Sequence, residues 1–122
     1  MIVTLSCLIV DDSEQFLASA ARLLSLQGVN VVGRALSGDE ALRLSESLRP
    51  DVALVDVELG DEDGLEVARR LTSGGSSTIV ILISLRDCDE LSEVMTGSGA
   101  VGFLRKDALG AQAVTDLIVQ RG

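Results

Sequence analysis

No histidine occurs anywhere in the 122 residues, and cysteine occurs only at Cys7 and Cys88. That removes imidazole acid–base chemistry and leaves no Cys/His cluster of the kind that binds zinc. Two unpatterned cysteines are too few for a disulfide framework, and Cys7, inside an apolar run, reads as a small buried hydrophobe. Basic residues are also scarce: 10 Lys and Arg stand against 19 Asp and Glu, for a formal net charge of -9. A surface that grips nucleic acid needs clustered Lys and Arg, so any contact with DNA would have to come from another domain. No apolar run approaches the ~18 residues of a membrane span. The N-terminal stretch MIVTLSCLIVDD lacks the basic flank and cleavage site of a signal peptide and closes on two aspartates. A soluble, cytoplasmic protein without membrane contact is expected.

What is present is apolar: 47% of the chain, with 24% charged, a globular composition. A chain of this length buries roughly two thirds of its unfolded surface, enough for one core, and residues 1–122 are expected to form one domain. Five apolar runs recur: LSCLIV (5–10), VNVVG (29–33), DVALVD (51–56), TIVILIS (78–84) and AVGFLRK (100–106). They are rich in Val, Ile and Leu and do not alternate with polar residues, as strands covered on both faces of a parallel sheet do. The segments between them have helical period. Residues 13–27 carry Phe16, Ala20, Leu23, Leu24 and Leu26, with Gly28 as a stop. Ser37 with Glu40 forms a capping box before Ala41, Leu44 and Leu48, and Pro50 ends that helix. Leu65, Ala68 and Leu71 mark a third helix, Asp87 and Glu90 open a fourth with Leu91, Val94 and Met95, and Asp107 can cap a fifth with Leu109, Ala113, Leu117 and Ile118. Alternating strands and helices imply an open parallel α/β sheet with right-handed crossovers, whose ligands bind at the carboxyl ends of the strands.

Polar residues gather at those ends. Asp11 and Asp12 follow the first run, Asp56 closes the third, Ser84 the fourth and Lys106 the fifth. Each alone is bland, since an Asp after a strand commonly caps the next helix. Together they are not, because three carboxylates within ~5 Å repel by roughly 3 kcal/mol per pair at an effective dielectric of ~20. Lys106 supplies one positive charge. A hard divalent cation, Mg²⁺ for preference, would supply the rest and typically binds one or two carboxylates plus a phosphate. Asp56 is then a candidate nucleophile toward a phosphoryl group, with Mg²⁺, Lys106 and the Ser84 hydroxyl neutralising its oxygens.

The segments LIVDDS, VALVDVELGDEDGLEV, VILIS and GFLRKD, at these spacings, resemble the receiver domain of bacterial two-component response regulators over nearly the whole chain. The resemblance implies a flavodoxin-like (βα)5 three-layer sandwich with its sheet in the order 2-1-3-4-5. It implies Asp56 as phosphoacceptor, Asp11 and Asp12 with Asp56 around Mg²⁺, and the main-chain carbonyl of Glu58 as a further metal ligand. A histidine kinase or phosphotransfer protein would be the donor. Ser84 and Lys106 would contact the phosphoryl group, and Phe103 matches the aromatic whose burial follows phosphorylation. The added charge can draw Ser84 and its loop inward and vacate space for Phe103, changing the surface of the fourth helix, fifth strand and fifth helix. An output domain, partner or second copy could read that change if it binds the two states unequally. The plain alternative for Phe103 is a core aromatic with no switch role.

Several positions depart from the family. Leu59 and Gly60 replace its usual Met-Pro, and glycine predicts a looser loop. Leu85 follows Ser84 where a small residue is common, narrowing access to Asp56 and altering phosphorylation kinetics; Asp107 replaces a frequent proline. Glu58 overlooks Asp56 and could tune its chemistry, and Arg86 could pair with Glu58 for ~0 to 1 kcal/mol. Asp61, Glu62 and Asp63 read as a solvated acidic loop. GFLRKDA is most like receivers joined to helix-turn-helix output domains, which implies transcription regulation. No such domain follows DLIVQRG, so either a stand-alone receiver or a piece of a longer regulator is expected, with the second preferred. Catalysis is expected to stop at the domain's own phosphorylation and dephosphorylation. Two rivals remain: a receiver fold working as a phosphorylation-independent interaction module, and a phosphatase of the haloacid-dehalogenase type using Asp56, Glu58, Ser84 and Lys106.

Overall fold

The structure, a computed structural model, describes residues 4–73, 76–85 and 96–120. The five apolar runs form one parallel sheet from β1 (Ser6–Val10), β2 (Asn30–Ala35), β3 (Val52–Asp56), β6 (Ile79–Ser84) and β7 (Gly102–Arg105). Two short strands, β4 (Glu58–Leu59) and β5 (Glu62–Asp63), pair with each other instead. The order β2-β1-β3-β6-β7 is the expected 2-1-3-4-5 once β4 and β5 are set aside.

Both faces of the sheet are covered, and the pleat sorts the side chains between them. Cys7, Ile9, Val52, Leu54, Ile81 and Ile83 point to one face, where α1 (Glu14–Leu26) packs with Leu17, Ala20, Ala21 and Leu24. The C-terminal helix α4 (Ala111–Gln120) adds Val114 to that side. Leu8, Val10, Ala53, Val55, Val80 and Leu82 point to the other, under α2 (Gly38–Leu48) and α3 (Gly64–Thr72). Burial on both sides explains the absence of polar alternation. Cys7, fully inside the first layer, has its thiol pushed up to about 12 by burial. No helix among the described residues is long and apolar enough to cross a membrane.

The second helix begins with the capping box its sequence predicts, and the first has a serine cap of its own. The Ser13 hydroxyl accepts from the Phe16 amide at 3.2 Å, and Ser37 accepts from Glu40 at 3.2 Å, while the Glu40 carboxylate reaches back to the Leu36 amide at 2.8 Å. Two expectations change. Leu23 and Leu26 do not face the core: Leu26 is 77% exposed. The buried stripe starts at Leu17 and recurs at i+3, i+4 and i+7, which puts i+9 on the opposite side of the helix. Asp107 does not cap the last helix either. It lies in a 3-10 turn (Lys106–Ala108) and accepts from Arg105, whereas the Ala111 amide at the start of α4 donates to Gln27 Oε1 at 2.7 Å. The cap arrives from the end of α1, a contact no local pattern encodes. The helix expected after Asp87 (Leu91, Val94, Met95), together with Arg86 and Cys88, lies outside the described residues.

A prediction follows from that cap. Gln27→Ala should lower stability by about 1 kcal/mol, whereas Asp107→Ala, which removes only an exposed ion pair with Arg105, should cost under ~0.5 kcal/mol. Urea unfolding of both variants checks this, and a larger loss for Asp107→Ala would reverse the assignment.

Candidate functional site

Register is what assembles the site. Val10 is level with Val55 and Asp56 with Ile83, so Asp11 and Asp56 emerge side by side at the carboxyl edge. Ser84 closes β6 one residue beyond, level with Arg105, and Lys106 follows directly. The backbone carries the order past the strands: the Asp11 amide donates to Ala35 O and the Val57 amide to Ile83 O, each at 3.0 Å.

Asp11, Asp12 and Asp56 each place a carboxylate oxygen within 4.8 Å of the others. Asp11 is 0% exposed and Asp56 5%, whereas Asp12 faces solvent. Asp11 Oδ1 accepts from the Ser13 amide at 2.9 Å, and Asp56 Oδ1 from the Glu58 amide at 3.0 Å. Lys106 Nζ answers the negative charge, 2.6 Å from Asp11 Oδ2 and 3.1 Å from Asp56 Oδ2. Burial pushes the Asp56 carboxyl up to about 6, prevailing over the Glu58 amide and Lys106, which pull it down. Burial works the other way on the Lys106 ammonium, yet its contacts with Asp11 and Asp56 outweigh it and hold that pKa above the ordinary lysine value.

These groups line a cavity of about 460 Å³ together with Glu58, Gly60, Ser84 and Leu85. Ser84 is buried at its floor, and Leu85, 76% exposed, stands at its rim. A larger groove of about 780 Å³ opens between α2, α3 and Thr78, and among the described residues that line it the one carboxylate is Glu46. Phe103 sits half-buried on β7 against the core beneath α2 and α3, a position that suits both a core aromatic and a switch.

The donor set suits a hard cation. Asp11 Oδ2 is buried, and its close neighbour is the Lys106 ammonium at 2.6 Å. An oxygen of that kind, with two further carboxylates in reach, matches what Mg²⁺ takes from a protein.

Two features escape the sequence patterns. Lys106 Nζ also lies 4.3 Å from the centroid of the Phe16 ring, so a first-turn residue of α1 helps to seat the ammonium. The only sequence signal was an aromatic four residues beyond Asp12, which reads equally well as core. The acidic loop is also more than a solvated stretch. Asp61, Glu62 and Asp63 are exposed, but Asp63 Oδ1 caps α3 by accepting from the Leu65 amide at 3.0 Å, and Glu62 accepts from the Gly38 amide at the start of α2. Around Gly60 the loop forms a small hairpin in which Glu58 pairs with Asp63 and Leu59 with Glu62. Gly60 makes the turn at φ +61°, where glycine is unstrained, and its bare Cα leaves room for the Asp12 carboxylate. The Glu58–Arg86 pairing falls outside the described residues.

The family model described as "Response regulator receiver domain" matches residues 7–118. Over 105 residues, 85% of this chain and 49% of the relative, the sequence is 41% identical to "Probable transcriptional regulatory protein NarL" of Mycobacterium tuberculosis. It is 33% identical over 108 residues, 88% of this chain and 50% of the relative, to "Response regulator GacA" of Pseudomonas viridiflava. The chain thus spans about half the length of these curated relatives. The solved signal receiver domain of NarL from Mycobacterium tuberculosis superposes with a TM-score of 0.84 at 35% identity, covering 98% of each chain.

Proposed function

This chain belongs to the response regulator receiver domain family, and we propose that it works as a phosphoacceptor switch whose Asp56 takes a phosphoryl group from a histidine kinase or phosphotransfer protein in the cytoplasm. The observation that carries the reading is the state of Asp56: nearly buried, one oxygen held by the Glu58 amide and the other by Lys106, beside two further carboxylates. A carboxylate so oriented can attack phosphorus in line.

Asp11, Asp12, Asp56 and the Glu58 carbonyl would hold Mg²⁺. When bound, Mg²⁺ supplies charge neutralisation for the carboxylates and for the entering phosphoryl oxygens. The remaining work falls to the protein's own groups. An Asp56 oxygen forms the new O–P bond as the P–N bond of a phosphohistidine breaks, and the departing imidazole keeps the electron pair. The Lys106 ammonium, already between Asp11 and Asp56, transfers its contact to a phosphoryl oxygen, and the Ser84 hydroxyl donates to another. Recruiting Ser84 displaces its loop and opens space toward which Phe103 can turn. Leu85 at the rim and Glu58 above Asp56 govern how donor and water approach. The altered surface then favours a homodimer or engages an output domain, regulating transcription as the name of the NarL relative suggests.

The test is labelling by acetyl phosphate or phosphoramidate with Mg²⁺. Wild type should acquire an acid-stable, base-labile phosphoryl group, and Asp56→Asn should lose it entirely, because no amide oxygen replaces the carboxylate nucleophile. Equal labelling of both proteins would remove Asp56 from the role, and no labelling of either would favour an interaction module. Steady turnover of phosphomonoesters would instead favour a phosphatase.

A further inference from the structure

We propose that Glu62 is a positioning residue: its carboxylate, clamped on the first turn of α2, holds the β4–β5 hairpin in the pose from which Glu58 and Asp56 can share a cation with Asp11 and Asp12. The inference rests on the phosphoacceptor reading and adds a residue to it. Glu62 does not line the cavity, so it acts through the backbone that carries it.

The hairpin's own ladder is too short to hold it. It has two residues on each strand, and even longer isolated hairpins are marginal in water. Its turn at Gly60 has no side chain to pack, and Asp61 is exposed. Its root is fixed, because the Gly64 amide donates to Val57 O at 2.9 Å and Asp63 caps α3. β4 is anchored by Leu59, which is buried in the core with Val67, Ala68 and Leu71, and the exposed β5 arm meets α2 through Glu62, whose Oε1 and Oε2 accept from the Gly38 amide at 3.2 and 3.1 Å. That amide belongs to a helix first turn, which has no partner within the helix, and the helix dipole favours a carboxylate there.

A second observation is independent of those bonds. A Cβ at residue 38 would collide with the Glu62 carboxylate and lie 2.8 Å from Val67 Cγ2, so glycine is what lets the carboxylate reach the amide. Across the hairpin, Glu62 is level with Leu59, whose neighbour Glu58 donates its amide to Asp56 Oδ1. The path runs from the α2 terminus through Glu62 and the two-residue ladder to the backbone that orients the phosphoacceptor. Loss of the clamp frees that arm without touching any proposed ligand.

Mg²⁺ titration calorimetry on wild type, Glu62→Ala, Glu62→Gln and Asp11→Asn tests this, alongside amide hydrogen exchange at Gly38 and Glu58. Glu62→Ala should bind Mg²⁺ roughly tenfold more weakly, as loss of an outer partner does at other metal sites, and both amides should exchange faster. Glu62→Gln keeps an acceptor oxygen and should retain most of the affinity. Gly38→Ala evicts the carboxylate while leaving Glu62 in place and should weaken binding as Glu62→Ala does, which covers the case in which one variant fails to fold. Unchanged affinity in Glu62→Ala or in folded Gly38→Ala overturns the clamp, and Glu62→Gln as weak as Glu62→Ala assigns the effect to charge and overturns it too. If wild type itself binds no Mg²⁺, or Asp11→Asn binds it as well as wild type, the phosphoacceptor reading fails first.

Discussion

Gly64→Ala is expected to cost about 3 kcal/mol or more, the upper range for forcing extra volume into a packed site, or to prevent folding. Gly64 is buried at the start of α3, and a Cβ there would overlap the Asp56 carbonyl oxygen and sit 2.8 Å from the carbonyl carbons of Asp56 and Val57. The obstacle is main chain, so no rotamer change relieves it. Either the end of β3 moves, carrying the phosphoacceptor, or α3 moves and loosens Val67, Ala68 and Leu71 from the core. Gly97→Ala makes the control, because a Cβ there meets nothing within 4 Å and the change should stay within about 0.5 kcal/mol. Urea midpoints decide between them, and similar values for the two variants would contradict the close approach of α3 to Asp56.

The second large effect is a pH dependence of the metal-free protein. With its carboxyl raised from 3.8 to about 6, Asp56 holds a proton in the folded chain after the unfolded chain has released one. Below about pH 4 both states are protonated and the Asp56 contribution is fully present. Between about 4 and 6 only the unfolded state loses its proton, so stability falls as pH rises; above the folded pKa both are ionised and the loss is complete. The total is on the order of one to a few kcal/mol. Asp56→Asn removes the ionisation, so in EDTA at pH 7.5 it should be more stable than wild type by an amount of that order, with the gap closing toward pH 4. Mg²⁺ binding only the folded state stabilises wild type in the ordinary linked manner, whereas Asp56→Asn should gain less. Thermal melts at several pH values with EDTA check the sign, and a wild type whose metal-free stability relative to Asp56→Asn does not fall between pH 4 and 7 would contradict it.

The sheet was legible because two-sided burial leaves a compositional trace: Ile81, Leu82 and Ile83 are all fully buried, and no amphipathic element carries such a run. The acidic cluster was legible for a related reason. Parallel strands in register put the residue after each strand at a common edge, so Asp11, Asp56, Ser84 and Lys106 could be grouped before their distances were known. The residues that escaped act across elements. Gln27 caps a helix that begins 84 residues later, Glu62 caps one that begins 24 residues earlier, and Phe16 receives an ammonium from the turn after β7. Their local surroundings name a turn residue, an acidic loop and a core aromatic, all true and all incomplete. The misplacement of Leu23 and Leu26 has another origin: a leucine-rich helix offers more apolar residues than one face can bury, and only the sheet selects the stripe.

Cys7 turns the middle of the sheet into a chemical clock. Its thiol, on the second residue of the central strand β1, points into the layer under α1, and burial holds it far from the thiolate form that alkylating reagents attack. A reagent in the surrounding solution must wait for the layer between α1 and the sheet to open before it can react. In a chain with no Trp or Tyr to report by fluorescence, the pace of modification at Cys7 keeps time for the rarest openings of the fold.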